Sequence, residues 1–121
     1  MFSIPSYLLE RIFVKDSLKN TEEGFEFTMK NVVDSGTLTR LMAVELDGQA
    51  LPLDQITVVA GQKTLSATEI TPSAPLHFPV GSTMTVKVAG RKIEVGEHQL
   101  NIRVNTWEAG AVSIPIKVTI R

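Results

Sequence analysis

Hydrophobic and polar residues alternate with a period of two along much of the chain. In the segment GFEFTMKN (24–31), Phe25, Phe27 and Met29 share one face, whereas the residues between them are polar. Successive side chains of a β-strand point to opposite faces, so this segment predicts a half-buried strand. The segments TMTVKVAG, LNIRVN and 112–120 alternate in the same way. We therefore predict an all-β fold, an antiparallel, immunoglobulin-like β-sandwich of about seven or eight strands.

Turn residues separate the predicted strands. Asp47-Gly48 favours the positive φ angles of a hairpin turn, and TEITPSAPLHFPVGS (68–82) has three prolines, which predict a long irregular connection. The segment YLLERIFVKDSLKN (7–20) is interpreted as a hairpin partner of the next strand, with the turn at 20–24. A short helix over 8–13 is the second choice, because Ile12, Phe13 and Val14 favour strand. Pro115 predicts that the last strand lies at a sheet edge or carries a bulge.

Composition narrows the classes of function. The 121 residues are predicted to form one domain, 1–121, with a formal net charge of −1 and no cysteine. Disulfides, thiolate catalysis and cysteine-bound zinc are therefore excluded, and the near-neutral charge argues against nucleic-acid binding. The first apolar runs are short and interrupted by Pro5 and by Glu10-Arg11, unlike a signal peptide. We expect a cytoplasmic protein that neither enters a membrane nor binds nucleic acid.

The segment GEHQLNIRVNTWEAG (96–110) contains the residues best suited to chemistry. His98 could transfer protons or bind a metal, but its neighbours at strand spacing are Gly96 and aliphatic residues. We favour a structural role, in which the imidazole bonds back to the preceding loop at a strand corner. Trp107 is either a core residue or an interface anchor. Glu108 is interpreted as a solvated turn carboxylate.

Three other side chains are candidates for contact with a partner protein. His77 and Phe78 lie in the proline-rich connection, where partner contacts and substrate-facing groups concentrate, and Tyr7 is an aromatic residue near the start of the chain. With Trp107 they form the predicted partner interface. No catalytic, cofactor-binding or metal-binding residue is predicted in this chain.

Nearly the whole sequence resembles the small β subunit of bacterial C-glycoside deglycosidases. The similarity is carried by IPSYLLERIFVKDSLKNTEEGFEFTMKN, by VELDG, by PLHFPVGSTMTVKVAGRKIEVGEHQLNIRV, and by TWEAG with the final VSIPIKVTI. The resemblance implies a heteromeric lyase that cleaves the carbon–carbon bond between a 3-oxo sugar and an aromatic aglycone by elimination. Removal of a proton beside the ketone starts that reaction.

The resemblance also implies a division of labour between two subunits. The catalytic histidine and a divalent metal, expected to be manganese, belong to a TIM-barrel α subunit similar to sugar isomerases, which also binds most of the 3-oxo-C-glycoside substrate. From the residues of this chain we expect it to stabilise the barrel and to shape its substrate entrance, with 72–81 and 107–110 as the contact surface. A free-standing sandwich module that binds carbohydrate or protein is the alternative, and a self-sufficient enzyme ranks third.

Overall fold

The structure is a computed structural model that describes residues 6–121. It confirms the predicted all-β antiparallel sandwich, with ten strands in the described part instead of the predicted seven or eight. The strands are β1 (Lys19–Asn20), β2 (Gly24–Lys30), β3 (Gly36–Leu46), β4 (Gln49–Ala50), β5 (Ile56–Ala60), β6 (Lys63–Ser66), β7 (Leu76–Phe78), β8 (Thr83–Ala89), β9 (Gly96–Thr106) and β10 (Gly110–Ile120). Four of the ten strands, β1, β4, β6 and β7, have only two to four residues.

Two sheets face each other across the core. The first has the order β1-β2-β8-β5-β6, and the second has the order β10-β9-β3-β4, with β7 also paired to β3. The inward side chains of the long strands are almost completely buried and form one continuous cluster: Phe25, Phe27, Met29, Val44, Ile56, Val58, Val86, Leu100 and Ile102 are each at most 2% exposed. The apolar residues of the alternating pattern thus face the core, and the polar residues between them lie on the outer faces of the sheets.

The segment before β2 differs from the preferred expectation. Ser6–Ile12 is the α-helix α1, the second choice from the sequence, and only Lys19–Asn20 forms the predicted hairpin with β2. Ile12 is buried, Phe13 makes an isolated antiparallel bridge to Met29, and α1 packs against β2 and β10. Burial of Ile12 and Phe13 against the sandwich outweighs the strand preference of the local sequence. The start of the resembling segment, including Pro5, lies outside the described residues.

The turn and edge predictions are confirmed. Asp47 and Gly48 have φ angles of 51° and 84° and join β3 to β4 as a hairpin. β10 is an edge strand paired only with β9 among the described strands, so Pro115 breaks no central ladder. The proline-rich connection is not wholly irregular, because it contains β7 and begins with the 3-10 helix Ala67–Glu69. A second 3-10 helix, Leu53–Gln55, directly precedes β5.

Neither α1 nor any other helix in the described part of the chain has the length and apolar character needed to cross a membrane.

Candidate functional site

One end of the sandwich gathers three of the four predicted contact residues. Because β7 pairs with β3, His77 lies opposite Thr37 and Phe78 lies opposite Gly36. The backbone N–H of Trp107 donates to the carbonyl oxygen of Thr37 over 3.1 Å. His77, Phe78 and Trp107 are therefore placed around the start of β3, although they are distant in sequence. We call this region the β3 end.

The contact candidates differ in exposure. Trp107 is 64% exposed, so the structure excludes the core alternative for this residue. His77 is exposed and Phe78 is half-buried against the core. Tyr7 is 66% exposed on α1, and it is not among the residues that the β7–β3 pairing brings together. A tryptophan with most of its surface in water is available for contact with another molecule.

Glu108 is fixed at the β3 end more firmly than a solvated turn carboxylate would be. Its Oε1 accepts a hydrogen bond from the Thr37 backbone N–H over 2.8 Å, and its Oε2 accepts one from the Thr37 hydroxyl over 2.9 Å. The backbone bond from Thr37 is the main cause that lowers the pKa of Glu108, and the positive potential of nearby His77 adds a smaller effect. Glu108 therefore presents an oriented negative charge beside Trp107.

An apolar cavity of about 280 Å³ opens at the β3 end, between the two sheets. We call it the end cavity. Its rim contains Asp34, Ser35 and Glu108, which are exposed, whereas its floor is buried. The floor consists of aliphatic and thioether side chains from α1 and from both sheets: Ile12, Met29, Leu38, Met84, Ile102, Val104, Val112 and Ile114.

Asn31 holds the rim of the end cavity in place. Its side-chain N–H groups donate to the carbonyl oxygens of Asp34 and Phe78 over 2.7 and 2.8 Å. Its Oδ1 accepts from the backbone N–H groups of Val33 and Asp34. A side chain only 7% exposed thus has all its hydrogen-bonding groups satisfied and ties the loop after β2 to the end of β7.

His98 lies at a strand corner, as expected. Its Nε2 is 2.8 Å from the carbonyl oxygen of Glu94, and its Nδ1 is 2.6 Å from Oδ2 of Asp47. Asp47 also accepts from the backbone N–H of Gln99 over 2.9 Å. Both partners of the imidazole have acceptor oxygens, so a protonated imidazole can donate to both of them. The bond to the carbonyl oxygen of Glu94 in the preceding loop is the corner contact that the sequence predicted.

The His98–Asp47 pair responds to pH. The side-chain hydrogen bond to Asp47 is the main cause that raises the pKa of His98 above its ordinary 6.5. The same bond is the main cause that lowers the pKa of Asp47 below 3.8. The pair therefore favours the charged form of both groups and joins the β3–β4 turn to the start of β9.

Sequence reasoning missed several partners at these two places. The sequence did not predict the roles of Thr37 and Asn31. The partner of Thr37, Glu108, is 71 positions away, and the partner of Asn31, Phe78, is 47 positions away. Asp47 was recognised as a turn residue, but its bond to His98 spans 51 positions. Within residues 6–121, no group of three or more histidine, aspartate or glutamate side chains is arranged to hold a metal ion.

The fold and the β3 end define an all-β sandwich domain with candidate contact residues around an apolar cavity. The chain belongs to the family described as hydroxymethylglutaryl-CoA reductase, N-terminal domain, which matches residues 8–121. Comparison with curated proteins found no match.

Proposed function

We propose that this chain is the small accessory β subunit of a heteromeric C-glycoside deglycosidase. In this proposal the TIM-barrel α subunit carries the catalytic histidine and the metal ion, expected to be manganese. The barrel expels the aromatic aglycone from a 3-oxo sugar by elimination. The present chain binds the barrel through the β3 end, stabilises it and shapes its substrate entrance in the cytoplasm. It contributes no catalytic residue.

The observation that carries the proposal is the gathering of His77, Phe78 and Trp107 at one end of the sandwich. Exposed aromatic residues beside a fixed charge are typical of interface hot spots, because they bury large areas with little loss of side-chain entropy. Trp107 offers such an area, and Glu108 beside it offers a charge that is already oriented by Thr37. The whole-length sequence resemblance supplies the identity of the partner.

The family description is compatible with an accessory role. It names an N-terminal domain of a reductase, that is, one part of an enzyme. Members of one family can serve different enzymes, since function depends on the particular site and its partners more than on the fold. We therefore take the family as support for membership in a larger enzyme and derive no reductase chemistry from it.

Size-exclusion chromatography with light scattering tests the proposed association. The chain is co-expressed with a sugar-isomerase-like barrel, and the two are expected to elute together. Trp107→Ala should release the barrel, whereas Val95→Ala should not. Val95 is the matched control because it is 79% exposed and directly precedes β9, whereas Trp107 directly follows this strand, which spans about 33 Å at 3.3 Å per residue. Separate elution of the two wild-type proteins contradicts the proposal.

The alternative is a free-standing module that binds carbohydrate or another protein. The exposure of Trp107 and Tyr7 favours it, because aromatic faces in water can stack on sugars. Calorimetry of the isolated chain with C-glycosides and simple sugars separates the two proposals. Tight sugar binding without a partner supports the module, and no heat of binding supports the accessory subunit.

A further inference from the structure

We propose that the end cavity binds a small, uncharged aromatic molecule that donates a hydrogen bond to its rim, as a phenol does. This inference does not depend on the proposed function, because it rests on the size of the cavity, its lining and the hydrogen-bonding groups at its mouth. It assigns the isolated chain a binding site of its own.

The size of the cavity fits a compact aromatic molecule. The end cavity has a volume of about 280 Å³ and is partly open to solvent at its mouth. A cavity of about 150 Å³ lined by aliphatic side chains remains dry and binds benzene. The end cavity has nearly twice that volume and therefore accommodates roughly ten to twelve non-hydrogen atoms, the size of two fused rings.

The lining favours a flat apolar ligand. Met29 and Met84 project from adjacent strands of one sheet, and Ile102 and Val112 project from adjacent strands of the other. The space between two sheets is slot-shaped, about 10 Å from backbone to backbone. Thioether groups contact aromatic rings favourably and adapt to their outline. A planar ring can therefore lie between the sheets with both faces in contact with side chains.

The polar groups at the mouth of the end cavity favour a ligand that donates a hydrogen bond. Both side-chain N–H groups of Asn31 are used within the protein, and the Thr106 hydroxyl donates to the carbonyl oxygen of Gly110 over 3.2 Å. The Ser35 hydroxyl, which accepts from the Val80 N–H, is the remaining side-chain donor among the described lining residues. The carboxylates of Asp34 and Glu108 keep acceptor sites, since a carboxylate has roughly four and each here is only partly occupied.

The same carboxylates exclude anions. Glu108 and Asp34 both line the mouth, and the pKa of Glu108 is lowered by its bonds to Thr37, so this carboxylate stays charged at neutral pH. An anionic ligand would place a like charge beside these two carboxylates and would be repelled by them. A neutral hydroxyl group instead donates to a charged acceptor, which makes a short and strong hydrogen bond.

Methionine-methyl NMR of the full chain tests the proposal. Met29 and Met84 line the cavity, whereas Met42 is 51% exposed on β3 and does not, so it is an internal control. The probes are 2-naphthol, 2-methoxynaphthalene and 2-naphthoate, which differ in donor and charge. We expect 2-naphthol to shift the signals of Met29 and Met84 saturably and to leave Met42 unchanged. Its dissociation constant should be at least about fivefold lower than that of each other probe.

Two variants that fill the site check the location. Val112→Phe fills the floor and Ala109→Phe blocks the partly exposed mouth, so each should weaken 2-naphthol binding at least about tenfold. Val95→Phe is the matched control outside the cavity and should bind as the wild type does. If Val112→Phe does not fold, the affinity of Ala109→Phe for 2-naphthol still tests the location of the site. Absence of saturable shifts, equal shifts of Met42, unchanged binding by Ala109→Phe or equal binding of 2-naphthoate overturns the proposal.

Discussion

Gly24→Ala perturbs a close backbone approach between β2 and β8. A Cβ atom at Gly24 would lie 1.9 Å from the carbonyl oxygen of Val88 and 3.0 Å from that of Arg91. Ordinary contact begins near 3.4 Å, so the strands would have to separate locally by about 1.5 Å. Both close atoms belong to the backbone, and no side-chain rotation can relieve the contact.

The expected loss of stability combines three effects. Overpacking in a tight interior costs about 1–3 kcal/mol. The bond from the Gly90 N–H to the Glu23 carbonyl, 2.8 Å long, lies beside the displaced residue, and its loss adds about 1 kcal/mol. Replacing glycine lowers the conformational entropy of the unfolded chain, and this effect stabilises the fold by about 0.4–1 kcal/mol. We expect a net loss of about 2–3 kcal/mol, or roughly 10 °C in Tm for a domain of this size.

Urea denaturation followed by far-UV circular dichroism measures this loss. Dichroism is preferred because Trp107 is exposed and a poor reporter of core packing. Gly36→Ala is the matched control: its Cβ would meet only Oε1 of Glu108 at 3.9 Å, so its stability should stay within about 0.5 kcal/mol of the wild type. If Gly24→Ala were as stable as Gly36→Ala, the close approach of β2 and β8 would be refuted.

Three further predictions concern the charged pair, the core and the β3 end. Because the pKa of His98 is raised above 6.5, its stabilising contribution is complete below that pH and is lost as the pH rises through the folded-state pKa. Between about pH 6 and pH 9, Tm should fall more steeply for the wild type than for Asp47→Asn; parallel curves would contradict the pairing. Ile102→Ala should cost about 2–5 kcal/mol in urea denaturation, since this side chain is fully buried, and an unchanged midpoint would contradict its burial. Thr37→Val should raise the pKa of Glu108 towards its ordinary 4.5, as measured by carboxyl-carbon NMR titration, and an unchanged titration would argue against the side-chain bond.

Long strands could be predicted because their burial repeats every second residue. β2, β8, β9 and β10 each have enough positions for the alternation to be unambiguous. The two-residue strands β1 and β4 have no period to detect, and they exist because a neighbouring strand pairs with them. The helix α1 was ranked second because the β-branched run at its end resembles a strand, and only the packing of Ile12 against the sandwich decides between the two.

The site could be predicted only in part, for the same physical reason. His98 was interpreted correctly because its carbonyl partner, Glu94, is four positions away. His77 and Trp107 were identified as contact residues from their type and loop position. Their proximity depends on the pairing of β3 with both β7 and β9, and these registers join segments that are far apart in the sequence. The bonds of Glu108 to Thr37 follow from the pairing of β3 with β9, which is equally distant in sequence, so the carboxylate was taken for a solvated one.

Reconstitution of activity tests the accessory-subunit proposal most directly. The sugar-isomerase-like barrel is purified alone and titrated with this chain, and cleavage of a 3-oxo-C-glycoside is followed by release of the aglycone. We expect the barrel alone to be weakly active or unstable and to reach a plateau of activity at a fixed ratio of the two chains, with Trp107→Ala requiring a higher concentration than Val95→Ala. A barrel that is stable and fully active without this chain would contradict the proposal.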